Sequence, residues 1–302
     1  MLKKSTLIIL AICLIIGGIG IGATGVMLGG RTQLVFNNRD WDFINFNEED
    51  EGGYEESNEE SNKAYLEEKR EELGAFKKID VKSGTVAITI REGKGYSIDM
   101  EIGSKVELKY GIKGDTLYVE QKKQHTNNNI FGTYDWKKYG GEITITVPEG
   151  EQLERTLVEL GVGEGKFENL DTEQFKLVVG VADTYIQGLT AKNVKIEGGV
   201  GEITVEEGNL DEADITIGVG SIKIETILNG DLDIQGGVGD LKILLLQGKE
   251  SDYNYDISRG GGQITINDTT YNGVGDINVK NNSNKTIDID AGLGSISIQT
   301  DK

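Results

Sequence analysis

The chain has 302 residues, with 31 Lys or Arg against 51 Asp or Glu, for a formal charge of −20. That balance argues against nucleic acid as a partner, because phosphates need basic surfaces, and the single cysteine excludes an internal disulfide framework. Forty-three glycines with one proline and no triplet period suit a turn-rich β protein.

Residues 1–30 read as a transmembrane anchor. Lys3 and Lys4 precede an uncharged apolar run from 6 to 28, which is 28 − 6 + 1 = 23 residues. At about 1.5 Å per residue, a helix of that length spans roughly 34 Å, enough for a hydrocarbon core of about 30 Å. The run is longer than a signal-peptide core and lacks an A-x-A cleavage site, so the anchor is expected to stay uncleaved. The leading lysines predict a single pass through the cell membrane, N-terminus inside and the remainder outside. Ile12 is too large for the residue before a lipoprotein cysteine, leaving Cys13 as a membrane-buried bystander. Gly18, Gly22, Gly25 and Gly29 share one helix face, a spacing that lets two membrane helices approach closely and predicts a homo-oligomer.

Residues 31–75 read as an acidic linker, with 14 acidic side chains against five basic ones. Such charge density extends by self-repulsion and buries no core. Trp41, Phe43, Ile44 and Phe46 interrupt it and could touch the membrane surface or the β domain, and a short helix is expected from Glu59 to Leu73.

Residues 76–302 read as an all-β domain, a parallel β-solenoid with 19-residue coils. Its lead-in covers 76–155, where Tyr96 to Ile102, Val106 to Tyr110 and Leu117 to Val119 alternate like strands. A polar loop, 121–141, carries the only histidine, His125. Regular coils fill 156–250. A Gly-Val-Gly turn, with Ala182 in place of the second glycine at Val181, recurs with its valine at Val162, Val181, Val200, Val219 and Val238, each 19 residues after the last. A fixed period with apolar positions in phase marks stacked coils. Phe175, Val194, Ala213 and Leu232 form one column, and Leu177, Ile196, Ile215 and Ile234 the next. Past the turn, Ile203, Ile222 and Leu241 align, then Phe167, Ile186, Val205, Ile224 and Ile243. Gly161, Gly180, Gly199, Gly218 and Gly237 form a column of their own, expected to serve positive φ or close backbone approach.

Upstream, Ile79 to Ile90 carries a looser copy of the pattern. C-terminal coils with an insertion fill 251–302. Tyr255, Ile257, Ile264 and Ile266 fit a coil displaced by four extra residues. Ile287, Ile289, Ile296 and Ile298 fit the last coil, and 267–285 is an excursion with a half-match at Gly273 to Gly275.

The opening from Phe76 to Gly84, the stretch from Ile143 to Gly150, the serial Gly-Val-Gly coils and the closing Gly292 to Ile298 together resemble the bacterial β-strand-repeat candidate-adhesin domains, from about Phe76 to Gln299. The resemblance implies a non-enzymatic protein facing the cell envelope, near envelope-stress signalling systems and often behind one membrane anchor. It implies no catalytic residues.

The glycines at Gly161 are followed by strand, not by the helix a nucleotide loop needs. The acids at Glu202 and Asp240 fall one position early for a calcium nonapeptide. One histidine leaves no Ser-His-Asp set and no histidine-rich metal cluster. No catalytic, cofactor or metal residue is therefore assigned. Glu164, Asp183, Glu202 and Asp240 stack at the turn, with Lys166, Lys223 and Lys242 two residues on. That arrangement predicts a solvated ladder whose lysines relieve like-charge repulsion, with a cationic-ligand or peptide-binding strip as the alternative. The functional expectation is a membrane-anchored surface adhesion, scaffold or envelope-stress-sensing module whose partner is an envelope protein or cell-wall polymer. The competing expectation is a β-helix enzyme that cleaves cell-wall polysaccharide.

Overall fold

The computed structural model describes residues 66–122, 136–271 and 276–301. The apolar N-terminal run with its four glycines and Cys13, most of the acidic linker, His125 and the Gly273 half-match lie outside the described residues. Among the described residues, no helix is long and apolar enough to cross a membrane.

The described chain is mostly strand. It begins with β1 (Leu66–Glu72), β2 (Lys78–Ser83), β3 (Ala87–Gly93), β4 (Ser97–Gly103), β5 (Leu108–Lys113) and β6 (Thr116–Gln121). A four-residue helix, α1 (Trp136–Tyr139), precedes β7 (Gly141–Pro148). The long strands β8 (Gln152–Glu168) and β9 (Asp171–Gln187) follow, then β10 (Thr190–Val200), β11 (Ile203–Val219), β12 (Ile222–Leu228), β13 (Leu232–Val238) and β14 (Leu241–Leu245). After a 3-10 turn at Glu250–Asp252 come β15 (Asn254–Gly261), β16 (Ile264–Ile266), β17 (Thr269–Tyr271), β18 (Ile277–Val279), β19 (Thr286–Leu293) and β20 (Ile296–Thr300).

The long strands pair in parallel with their equivalents 19 residues on: Val158 with Leu177, Leu177 with Ile196, Ile196 with Ile215 and Ile215 with Ile234. Every apolar column expected from the period is in register, and its residues are buried. At about 4.8 Å between strands, each aliphatic side chain covers the one before it, so no coil could bury its inner face alone. Phe167 and Phe175 meet edge to face, their centroids 5.1 Å apart. Each of the first coils closes through a left-handed corner, at Asn169, Gly188 and Glu207, with φ of 52°, 66° and 54°.

The ends of the stack depart from sequence order. The stretch with the looser copy of the pattern, β2 and β3, is not the outermost rung. β2 lies between β6 and β8, and β3 between β7 and β8. The rung made by β6 and β7 is thus the outer one, and antiparallel strands cover it: β4 on β7, β1 on β4 and β5 on β6. The C-terminal end repeats the device. Ile287 and Ile289 were expected to close the stack behind the coil of Tyr255 and Ile257. Instead β19 and β20 insert between the coil of β13 and β14 and that of β15 and β16. Tyr255 follows its equivalent Leu232 by 255 − 232 = 23 residues, four more than the period. Four extended residues reach about 13 Å, which lets the chain step over one rung and leave a slot for its own C-terminus. The excursion then supplies β17 and β18 as antiparallel covers.

The helix expected from Glu59 to Leu73 is not there over its described part, since Leu66–Glu72 is strand β1. Six of its seven residues are exposed. Pairing with the open edge of β4 satisfies its backbone, which outweighs the helix preference of its glutamates and lysine.

Candidate binding surface

At each turn, the inward positions on the two sides are an odd number apart, five between Ile217 and Ile222 and three between Val179 and Ala182. An odd spacing reverses the inward phase, so the valine after the turn's first glycine points out. The repeat-marking valines therefore lie on the surface: Val162 is 57% exposed, Val181 52% and Val200 45%. Val219 and Val238 continue the column half-buried, and Leu293, 55% exposed, extends it on the inserted rung. Six aliphatic residues in register thus form a ridge one side chain wide. The sequence pattern had shown these valines as part of the repeat without showing which way they face. The odd spacing is the signal that could have shown it.

The glycine column beside the ridge is explained by close approach. A Cβ on Gly218 would sit 2.7 Å from the carbonyl oxygen of Gly199. Positive φ belongs instead to the glycines after the valines, such as Gly220 at +145°.

Acidic and hydroxyl residues flank the ridge. On one side, Glu164, Asp183, Glu202, Ser221, Asp240 and Ser295 are all exposed. On the other, Glu159, Val178, Glu197, Thr216, Gln235 and Asp290 face outward. Neither column holds a lysine or arginine.

The lysines expected to relieve the turn acids mainly serve others. Lys166 pairs with Glu168 at 2.8 Å and Lys223 with Glu206 of the preceding coil, because the lysine chains run along their strands away from the turn. Lys242 gives Asp240 only a minor favourable field. Two of the turn acids cap backbone instead. Asp183 accepts the Glu202 N–H at 2.9 Å, and Asp240 accepts both the Ser295 N–H at 2.9 Å and its hydroxyl at 2.6 Å. Those two bonds hold the Asp240 carboxyl below the usual aspartate range.

A second acidic feature lies on the strands. Asp214, Asp233, Asp288 and Asp256 stand side by side on successive rungs, with Lys195 paired to Asp214 at 3.3 Å at one end. Although Asp233 and Asp288 are on the outer face, partial desolvation between the strands raises both carboxyls above their ordinary range. The neighbouring carboxylates add to it, Asp214 and Asp290 for the first, and Asp233, Asp256 and Asp290 for the second. Among the described residues, no group of three His, Cys, Asp or Glu is arranged to hold a metal ion. A shallow depression of ≈ 280 Å³ lies beside this ladder, between β15, β18 and β19, and its lining is mostly polar, including Asn254, Asp256, Asn278 and Lys280.

No curated protein sequence matches the chain. Among solved structures, it is similar to a candidate cell adhesion protein of Clostridium sporogenes, with 16% identity over 79% of this chain and 100% of the other and a TM-score of 0.33. A candidate adhesin of Bacteroides fragilis shares 14% identity over 78% and 96%, with a TM-score of 0.35. A candidate lipid binding protein of Parabacteroides distasonis shares 15% over 79% and 97%, with a TM-score of 0.43. The family profile of Toastrack DUF4097 matches residues 76–302, three quarters of the chain and every rung of the stack, and the chain belongs to that family.

Proposed function

We propose that this chain is a non-catalytic binding module of the cell surface, held outside the membrane by its N-terminal span and acting in adhesion, scaffolding or envelope-stress sensing. The observation that carries the reading is the exposed aliphatic ridge with its acidic margins, a surface that repeats from rung to rung. Long, regular faces of stacked coils serve extended recognition, and exposed contiguous apolar surface marks interaction sites. Membership of the Toastrack family, and the adhesin descriptions of similar proteins, support the same reading. The anchor rests on the 23-residue apolar run, and pairing of two anchors through Gly18, Gly22, Gly25 and Gly29 would bring two modules together.

Crosslinking of intact cells followed by purification of the full chain tests the proposal. A recurrent envelope protein or wall polymer is expected among the adducts, and external protease on protoplasts is expected to digest the coils. Protection of everything after Arg31 would overturn the topology. Release of sugar fragments from purified cell wall by the chain would overturn the non-catalytic reading.

A further inference from the structure

The ridge has a spacing as well as a chemistry. Its six residues, Val162, Val181, Val200, Val219, Val238 and Leu293, succeed one another at the strand separation of about 4.8 Å and so extend over roughly 24 Å. They run across the strands, along the stack. An extended peptide lying in that direction presents like-facing side chains about 6.7 Å apart, which falls out of step within two rungs. An α-helix presents one face every turn, about 5.4 Å, through residues three and four apart. Its stripe stays near the ridge for most of those six rungs, a length of about 16 helical residues.

The margins select charge. Glu164, Asp183, Glu202 and Asp240 border one side and Glu159, Glu197 and Asp290 the other, and neither column carries a cation to oppose them. Glu159 and Glu197 are partly answered by Lys82 at 3.4 Å and Lys195 at 3.2 Å, so the exposed Glu164 and Glu202 supply the stronger margin.

From this juxtaposition, we propose that the ridge docks an amphipathic helix of a partner protein, with a single aliphatic stripe laid on the valines and lysines or arginines on both shoulders meeting the acidic columns. This is the helix-in-groove mode of recognition turned onto a ridge. The charged shoulders govern encounter rate and orientation, and the aliphatic contact governs residence.

The inference rests on the reading of the chain as a surface-binding module, and the test separates the two. The purified full-length chain in nonionic detergent, with detergent alone as blank, is titrated with an 18-residue lysine–leucine peptide whose leucines form one helical stripe. One leucine is replaced by a photoreactive analogue. A scrambled peptide of the same composition without a stripe is the control. The striped peptide is expected to bind at least tenfold tighter than the scrambled one and to crosslink at the turns around Val181 and Val200. The triple change Val162→Ser, Val181→Ser, Val200→Ser is expected to erase that preference. Glu164→Gln with Glu202→Gln is expected to weaken binding and flatten its salt dependence. These positions are exposed, so folding should persist, and unchanged circular dichroism checks it. Should the triple variant unfold, Val181→Ser alone is expected to give a twofold to threefold loss.

Equal binding of striped and scrambled peptides, or a preference untouched by the valine changes, would overturn the proposal in favour of diffuse attraction to an acidic protein. No binding of the striped peptide would overturn it outright. Self-association lost on changing the valines would assign the ridge to a second copy of the chain and overturn it too. Any of these results alongside a crosslinked cellular partner would sink the ridge helix and leave the surface-module reading standing. Peptide binding with no cellular partner would do the reverse.

Discussion

At Gly220 the backbone turns with φ of +145°, and a Cβ there would collide with the carbonyl oxygen of Gly201 on the rung below. Gly236 has ordinary φ and nothing within 4 Å of a built Cβ, and it borders a void of ≈ 20 Å³ lined also by Ile217, Ile234 and Ala291. The same substitution should therefore have opposite signs. Gly220→Ala is expected to destabilise by about 3 kcal/mol, through strain and backbone displacement together. Gly236→Ala is expected to stabilise by about 0.5 kcal/mol, by filling space and restricting the unfolded chain. Urea unfolding followed by circular dichroism measures both, and equal losses at the two positions would show that the turn geometry is wrong. Of the two residues, sequence alone marks Gly220 as part of a repeat and gives no hint of the void beside Gly236, because that void depends on Ala291 from the inserted rung.

At the scale of elements, the inserted coil is held by more than its ladder. Asp231 accepts the Thr286 N–H at 2.7 Å, Asp240 accepts that of Ser295, and Asn267 accepts that of Thr300 at 2.9 Å. β15 and β16 reach the rest of the stack through β19 and β20. Truncation after Lys285 should consequently do more than remove the end. The amides of Asn254–Gly261 and Ile264–Ile266 are expected to lose hydrogen-exchange protection as well, while those of β9 and β10 keep theirs. Continued protection of β15 would mean that the coils stack in sequence order. At the opposite end, β1 and β5 leave an outer edge rich in exposed charge, which discourages pairing with another sheet.

On the scale of the whole stack, parallel register makes like residues neighbours, which benefits aliphatic columns and penalises charged ones. Asp214, Asp233, Asp288 and Asp256 are the clearest instance. For Asp233 and Asp288 the folded-state pKa lies above the unfolded value, so the folded chain holds the extra protons. Their contribution therefore favours folding at acid pH and declines as pH rises from the ordinary aspartate value through the raised one. Asp240 and Glu206, held below their ordinary values, act with the opposite sign, and their contribution is lost as pH falls. Asp288→Asn should remove part of the first effect. It is expected to add about 0.5 kcal/mol at pH 7 and nothing at pH 3, as read from denaturation midpoints at the two pH values. A larger gain at pH 3 would show that the ladder is not repulsive.

The sequence by itself determined the coil, its 19-residue length and the inward columns from Phe167 to Ile243, because identical spacing of aliphatic residues can be satisfied only by stacking like on like. It also carried the four extra residues before Tyr255. It did not carry their consequence. The order of rungs at both ends and the use of Asp183 and Asp240 as backbone caps were decided by tertiary structure. The reason is physical: pairing along a repeat is degenerate, since Ile287 matches the position behind Tyr255 as well as the one behind Leu232. Only the slack in the connections, and the need to cover the last open edges, selects between them.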